Sequence, residues 1–459
     1  MKKSILNQLG EIVNNNLVSF HVPGHKLGKI YDRLGYSNIL ESLYKMDTTE
    51  ILGTDNLHSP EGIIKESQER AARVFNSKNT YYLVNGSTCG IQAAIMSVCN
   101  PKDKIIVNRD CHQSVINTLI LGDIEPAYIY PQIDNKTNIL MGIKIEDAID
   151  TIDKNLDAKA ILLTYPTYYG KVYDLKTICN YAHSKGMMVI VDEAHGAHLG
   201  LSDKLPMTAL EQGADIVVQS THKTLPSFTQ SSMIHIQGER VNQERLTSIL
   251  RMIESSSPSY MLMSSLELAV DIYETKGKDL MDELLDNIYN DNDRTKIFIS
   301  SKELGMTGYE LDEMLRMNYN VQVELSNYYG ILLICTIGND RGDFKSLEYA
   351  LADISLNHIS NKNIGYIDYP MNIPVKELSP REAFYNEKKS VKIYDSIGKI
   401  CGEYIIPYPP GICLVSPGEI ITKEVIDYIL VCHQKGMSIS GMKDPSLGYI
   451  QIIENSYNG

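Results

Sequence analysis

The sequence has no long hydrophobic run: none approaches the roughly 18 consecutive apolar residues of a membrane span. Its first residues, MKKSILNQLGEIVNNN, carry two lysines but neither an extended apolar segment nor a small-residue cleavage site. No membrane association and a cytoplasmic location are therefore expected. It also lacks any Lys/Arg block resembling a nucleic-acid arm, and its formal charge is −14. That balance argues against tracking phosphates and gives a cationic substrate a favourable field. The eight cysteines (89, 99, 111, 179, 335, 401, 413 and 432) form no CxxC pair. A zinc site and a disulfide framework are excluded on that pattern.

A phosphate loop of the form GxxxxGK[ST] is missing too. The nearest run, GHKLGKI (24–30), has three residues between its glycines and ends in Ile. DEAH (192–195), although a helicase signature, therefore has no ATPase partner. HVPGH (21–25) spaces two histidines as a helical metal site would, but Pro23 and Gly24 oppose a helix. His195 and His198 have no third and fourth ligand nearby in sequence, so no metal is expected.

What remains is an ordinary globular composition. Hydrophobic content of 43% and charged content of 22% set aside disorder and fibrous architectures. At 459 residues the chain suits two or three domains. Composition divides it into an N-terminal arm (1–59), a large α/β region (60–290), a smaller α+β region (291–370) and a C-terminal region (371–459). The last includes IPYPPGICLVSPGE (406–419), whose prolines force extended or turning backbone.

The large region alternates β-branched runs with helical patterns, which predicts a mainly parallel sheet flanked by helices. Seven strands are expected: Tyr81–Val84, Ile105–Val107, Ala127–Tyr130, Lys159–Thr164, Met187–Val191, Ala214–Ser220 and Ser232–Ile236. Ser59 and Pro60 mark a helix start before the periodic run Ile63, Ile64, Ser67, Ala71, Val74 and Phe75. In the smaller region, VQVEL (321–325) and ILLICTI (331–337) read as strands before a helix near 343–357. Because ligands in open α/β sheets sit beyond the strands' carboxyl ends, NGST (85–88), TYPTYYG (164–170), DEAHGAH (192–198) and STHK (220–223) can share one crevice.

Those segments carry a consistent chemistry. Lys223 follows an apolar strand, and the dozen residues after it hold hydroxyls and no carboxylate. Desolvation there favours the neutral amine, an imine-forming nucleophile. Ser220 and His222 offer partners for a phosphate, so a phosphorylated carbonyl compound such as pyridoxal phosphate fits. Asp192, ending its own strand, is the acid that would face the pyridine nitrogen of such a cofactor. Gly86, Ser87 and Thr88 open a helix, where backbone amides and hydroxyls can hold a phosphate. His112, in NRDCHQSV (108–115), can stack on the ring, although helix capping is its plainer reading. Cys111 beside it reads as a spectator thiol.

Together, HVPGHK, GTDNLHSPEG (53–62), NGST, PTYYG, DEAHGAH, QSTHK, PREAF and IPYPPG resemble the short, wing-less branch of the bacterial ornithine/lysine/arginine decarboxylases. The resemblance runs in family order from about residue 18 to about 430. It implies a pyridoxal-phosphate enzyme of aspartate-aminotransferase-like fold with a family-type C-terminal domain. Lys223 would form the internal aldimine, Asp192 would pair with the pyridine nitrogen and His112 would stack on the ring. Ser87, Thr88, Ser220 and His222 would hold the phosphate, with His195 and the His25 loop near the substrate. The implied reaction is decarboxylation of a basic amino acid, arginine to agmatine for polyamine synthesis, with lysine and ornithine as competitors. A homodimer or dimer-based oligomer with shared sites is implied, SSSPSY (255–260) serving the neighbouring subunit. After the lysine, TLPSF replaces the family's MLG-type sequence, and residues 290–365 match loosely. A same-fold aminotransferase or carbon–sulfur lyase, and a non-catalytic binding protein, are the alternatives.

Overall fold

Each of the seven apolar runs forms a strand in the computed structural model, because each is short, rich in β-branched residues and closed by a turn. The structure describes residues 4–15, 17–134, 137, 139–288, 291–358, 364–365, 367, 369–370, 373–408 and 413–454. Residues 409–411 of the IPYPPG motif, and residue 412 after it, therefore lie outside the described residues. The strands are β1 (Asn79–Leu83), β2 (Lys104–Asn108), β3 (Glu125–Ile129), β4 (Ala160–Thr164), β5 (Met188–Asp192), β6 (Ile216–Gln219) and β7 (Ser232–Ile236). They form one sheet in the order β1-β7-β6-β5-β4-β2-β3. The pairs β5–β6, β4–β2 and β2–β3 are parallel, and β7 runs antiparallel to both neighbours. Near-continuous burial along β5, β6 and β7 is the mark of a sheet covered on both faces.

The chain divides into two compact units. The first comprises residues 1–97, 165–179 and 190–364, and the second residues 98–164, 180–189 and 365–459. Among the described residues no helix is long and apolar enough to cross a membrane.

Two local expectations are corrected. The helix expected from Ser59 and Pro60 begins at Ile63, as α1 (Ile63–Val74), with Gly62 as its N-cap and no side-chain bond from that residue. Its orphan amides are met from a distance by Asp55. That carboxylate accepts from the N–H groups of Glu61 (3.0 Å), Gly62 (2.8 Å) and Ile64 (3.0 Å). Although desolvation opposes it, these backbone donors hold the Asp55 carboxyl down to about 2. The run VQVEL is likewise not one strand. Val321–Gln322 pairs in parallel with Val18–Ser19, and Leu325–Asn327 joins a three-stranded sheet with Gly330–Ile334 and Lys296–Ser300. The expected helix follows at Arg341–Asn357, closed by an Asp340–Asp343 capping box.

Within the second unit, Arg109 is fully buried directly after β2. Its guanidinium is bidentate to Glu419 (2.8 and 2.6 Å) and donates to the Cys413 carbonyl (2.9 Å), with the Tyr128 ring 4.5 Å away. This ties NRDCHQSV to SPGE. Glu419→Ala would strand a buried cation, so a loss of roughly 3–5 kcal/mol is expected. Urea unfolding of the variant checks it; an unchanged midpoint would contradict the pairing.

Candidate active site

In the first unit the loaded segments meet at the ends of β1, β5 and β6. The helix α2 (Gly86–Val98) starts within NGST, so Gly86, Ser87 and Thr88 form its first turn, where N–H groups lack intrahelical acceptors. Gly86 has φ +78°, a conformation that glycine supplies without a Cβ penalty. Ser220, just beyond β6, donates to Ser87 Oγ (2.7 Å), and Thr88 stands exposed on the same turn. Donors and a positive helix end therefore face one spot. Beneath it, Glu254 takes the N–H groups of Val84 (3.2 Å) and Asn85 (3.1 Å) and the Cys89 thiol (2.9 Å).

Lys223 lies in the short helical turn Thr221–Thr224. Its Nζ is 3.0 Å from His195 Nε2, so the ammonium form donates to a neutral imidazole. Desolvation lowers its pKa, and the nearby Lys296 charge adds to this, while Asp192 and Glu324 oppose it. Asp192 is buried at the end of β5. One carboxylate oxygen accepts the Ala194 N–H (3.1 Å), so the turn-capping role open to a strand-end Asp is filled as well. His222 donates Nδ1–H to the Ser231 carbonyl (2.8 Å), leaving Nε2 as its free-standing ring position. Burial and the Lys223 charge lower its pKa. A phosphate at Nε2 would need the charged ring.

The HVPGH loop closes on this lysine turn. Gly24 N–H donates to His222 O (2.7 Å), and a Cβ at Gly24 would lie 2.5 Å from Leu225 O. Glycine is required there by contact. His25 stacks on Tyr31 (5.5 Å) and takes the Gly28 N–H. Burial, then the charges of Lys26 and His222, bring it down to about 4, so it is neutral near pH 7. Lys26, buried with Nζ on the carbonyls of His21 and Ile334 (both 2.9 Å), is pushed down to about 8 by desolvation.

His112 belongs to the second unit. It caps the helix Gln113–Gly122, Nδ1 accepting the Ser114 N–H (3.2 Å), so the neutral ring carries its proton on Nε2. Its capping role is thus realised.

Several groups were not visible in sequence. Glu324 reaches Tyr168 (2.8 Å), the Val22 N–H (3.0 Å) and His21 (2.6 Å), and the Tyr168 ring meets His195 edge-on at 4.7 Å. Asp293 holds Lys296 (3.2 Å) and His198 (3.0 Å) in a fully buried cluster. Glu193, the second acid of DEAH, has no cation: it accepts from Gln219 (2.7 Å) and the Ala209 N–H (2.7 Å), and burial pushes it up to about 8. Gln219 in turn accepts from His235 (3.1 Å), which accepts from Thr80 (2.8 Å), a buried polar chain stitching β6, β7 and β1. Apart from Asp293 and Lys296, three positions apart, the partners are distant along the chain, and no local signal marks them.

Strand ends of an open α/β sheet thus bring together a desolvated lysine, a carboxylate and a serine-lined helix start. The chain belongs to the Orn/Lys/Arg decarboxylase family: the major-domain model matches residues 4–301 and the C-terminal-domain model residues 369–455. It is accordingly an amino-acid decarboxylase. It is 36% identical over 465 residues to an arginine decarboxylase of Bacillus subtilis (strain 168), covering 95% of each chain. It is 36% identical over 478 residues to an arginine decarboxylase of Bacillus anthracis, covering 98% of this chain and 97% of that one. Its fold matches the constitutive lysine decarboxylase of E. coli with a TM-score of 0.77 at 20% identity, over 98% of this chain and 81% of that one.

Proposed function

We propose that this chain decarboxylates L-arginine to agmatine and carbon dioxide, with pyridoxal 5'-phosphate held on Lys223. The observation that carries the reading is Lys223, its Nζ 3.0 Å from His195, in the same unit as Asp192 and a serine-lined helix start. The full-length relatives named arginine decarboxylase favour arginine over lysine and ornithine. When bound, the cofactor supplies a protonated ring that accepts the electron pair left as the carboxylate departs.

The protein residues have separate tasks. Gly86, Ser87, Thr88 and Ser220 hold the phosphate, with His222 joining when protonated. Asp192 keeps the proton on the ring nitrogen. His195 takes up the Lys223 proton side, and the His25 loop shields the lysine turn from water. Lys223, once released, returns a proton to the substrate α-carbon. The same reading gives a cytoplasmic homodimer with shared sites serving polyamine synthesis.

The test is carbon dioxide release by the cofactor-loaded protein from arginine, lysine and ornithine, with the amine products identified. Arginine yielding agmatine fastest is expected; preference for lysine would overturn the substrate, and silence on all three the reading itself. A pH prediction follows from the depressed Lys223 amine, which becomes neutral below the ordinary lysine value of 10.5. Capture of pyridoxal phosphate by apo protein should speed up with pH and level off below that value. A rate still climbing there would contradict the desolvated lysine.

A further inference from the structure

The remaining question for a basic substrate is what receives its distal cation, and this inference rests on the decarboxylase reading above. Two carboxylates act electrostatically on Lys223: Asp192 and Glu324. Asp192 is assigned to the ring nitrogen. Asp293, the other nearby acid, is fully buried and already bound by Lys296, His198 and Thr295, which leaves no room for a guanidinium.

Glu324 is different in kind. Its side chain is only 6% exposed, yet it is ionised: burial opposes the charge, but His21, the Val22 N–H and Tyr168 hold the carboxyl at about 2. One imidazole and one phenol separate it from the lysine. His195 lies 3.0 Å from Lys223 Nζ, the Tyr168 ring is 4.7 Å from the His195 ring, and Tyr168 O–H donates to Glu324 Oε1 at 2.8 Å.

The three partners of Glu324 are not equivalent. The Val22 N–H and the Tyr168 hydroxyl are fixed donors that aim the carboxylate. His21, 2.6 Å from Oε2, has a side chain 46% exposed and can swing into water without leaving a buried charge. We propose that Glu324 receives the distal cation of the substrate and that His21 is the partner it gives up. A planar guanidinium can engage both carboxylate oxygens, which a point-charge ammonium cannot, so the exchange favours arginine.

Glu324→Gln tests this, since it keeps the shape while removing the charge: its amide oxygen can accept the Val22 N–H, and its amide NH2 can donate to a turned Tyr168 hydroxyl. L-citrulline, matching arginine in length but neutral at its end, is the control ligand, and binding is read from the shift of the bound cofactor's absorbance. The wild type should prefer arginine to citrulline, and Glu324→Gln should cut that preference at least about 100-fold, through KM more than kcat. Equal losses for both ligands would show that Glu324 serves only to hold the HVPGH loop, overturning the proposal. His21→Ala provides a second arm should the first variant fail to fold. It should lower the KM for arginine, whereas an unchanged or higher KM would overturn the exchange. Wild-type protein that decarboxylates no basic amino acid would instead overturn the functional reading on which this rests.

Discussion

Lys223→Ala is expected to reduce carbon dioxide release from arginine by about 10⁴-fold or more, the scale of losing an enzyme's covalent anchor. The variant should also lose the visible absorbance of the bound cofactor at its wild-type position. The structure gives the reason in two parts. Lys223 carries a desolvated amine in the turn after β6, which suits it to the proposed nucleophile role, and its ammonium form donates to His195. Its removal therefore takes away both the anchor and the proton donor. The loss should fall on kcat, because the donors of Gly86, Ser87 and Ser220 remain for the phosphate. Stopped-flow absorbance and product analysis check it; more than a tenth of wild-type activity would assign the chemistry elsewhere.

Asp192→Asn should lower kcat by about 10³-fold with the fold intact. Asparagine preserves the contact with the Ala194 N–H, so the turn after β5 should survive. What it cannot do is stabilise a positive ring nitrogen. In addition, Lys223 loses one of the two carboxylates that support its ammonium, so its pKa should fall further. Steady-state rates and the pH profile of cofactor absorbance test both effects, and near-wild-type turnover would refute the assignment of Asp192.

Which placements can be read from the chain alone follows from distance along it. Lys223, Asp192, Ser87 and Ser220 each stand at the end of an apolar strand, where pattern and ligand geometry coincide. Short buried runs bounded by turns likewise made all seven strands legible. Glu324 is different because its partners, Val22 and Tyr168, lie 302 and 156 positions away. No local pattern links them. The same holds for Glu254 beneath NGST and for Arg109 with Glu419.

The start of α1 was misread for a related reason. Ser59 and Pro60 are good local start signals, but Asp55 folds back to satisfy three amides further on and sets the boundary itself. The same run is pinned by Tyr260, whose hydroxyl donates to the Asp55 carbonyl (2.7 Å), and by His58 against the Ser255 carbonyl (2.8 Å). VQVEL has the pattern of a single strand, yet its two ends pair with different strands.

Cofactor attachment is assigned to Lys223, which is half-buried, and not to a fully buried lysine. Lys26 and Lys296 are buried in the same unit, but each is committed, to backbone carbonyls and to Asp293 respectively. Borohydride reduction of the cofactor-loaded protein, followed by peptide mass spectrometry, measures the attachment directly. A reduced pyridoxyl phosphate group is expected on the peptide containing Lys223. The same label on Lys26 or Lys296, or on no lysine, would contradict it.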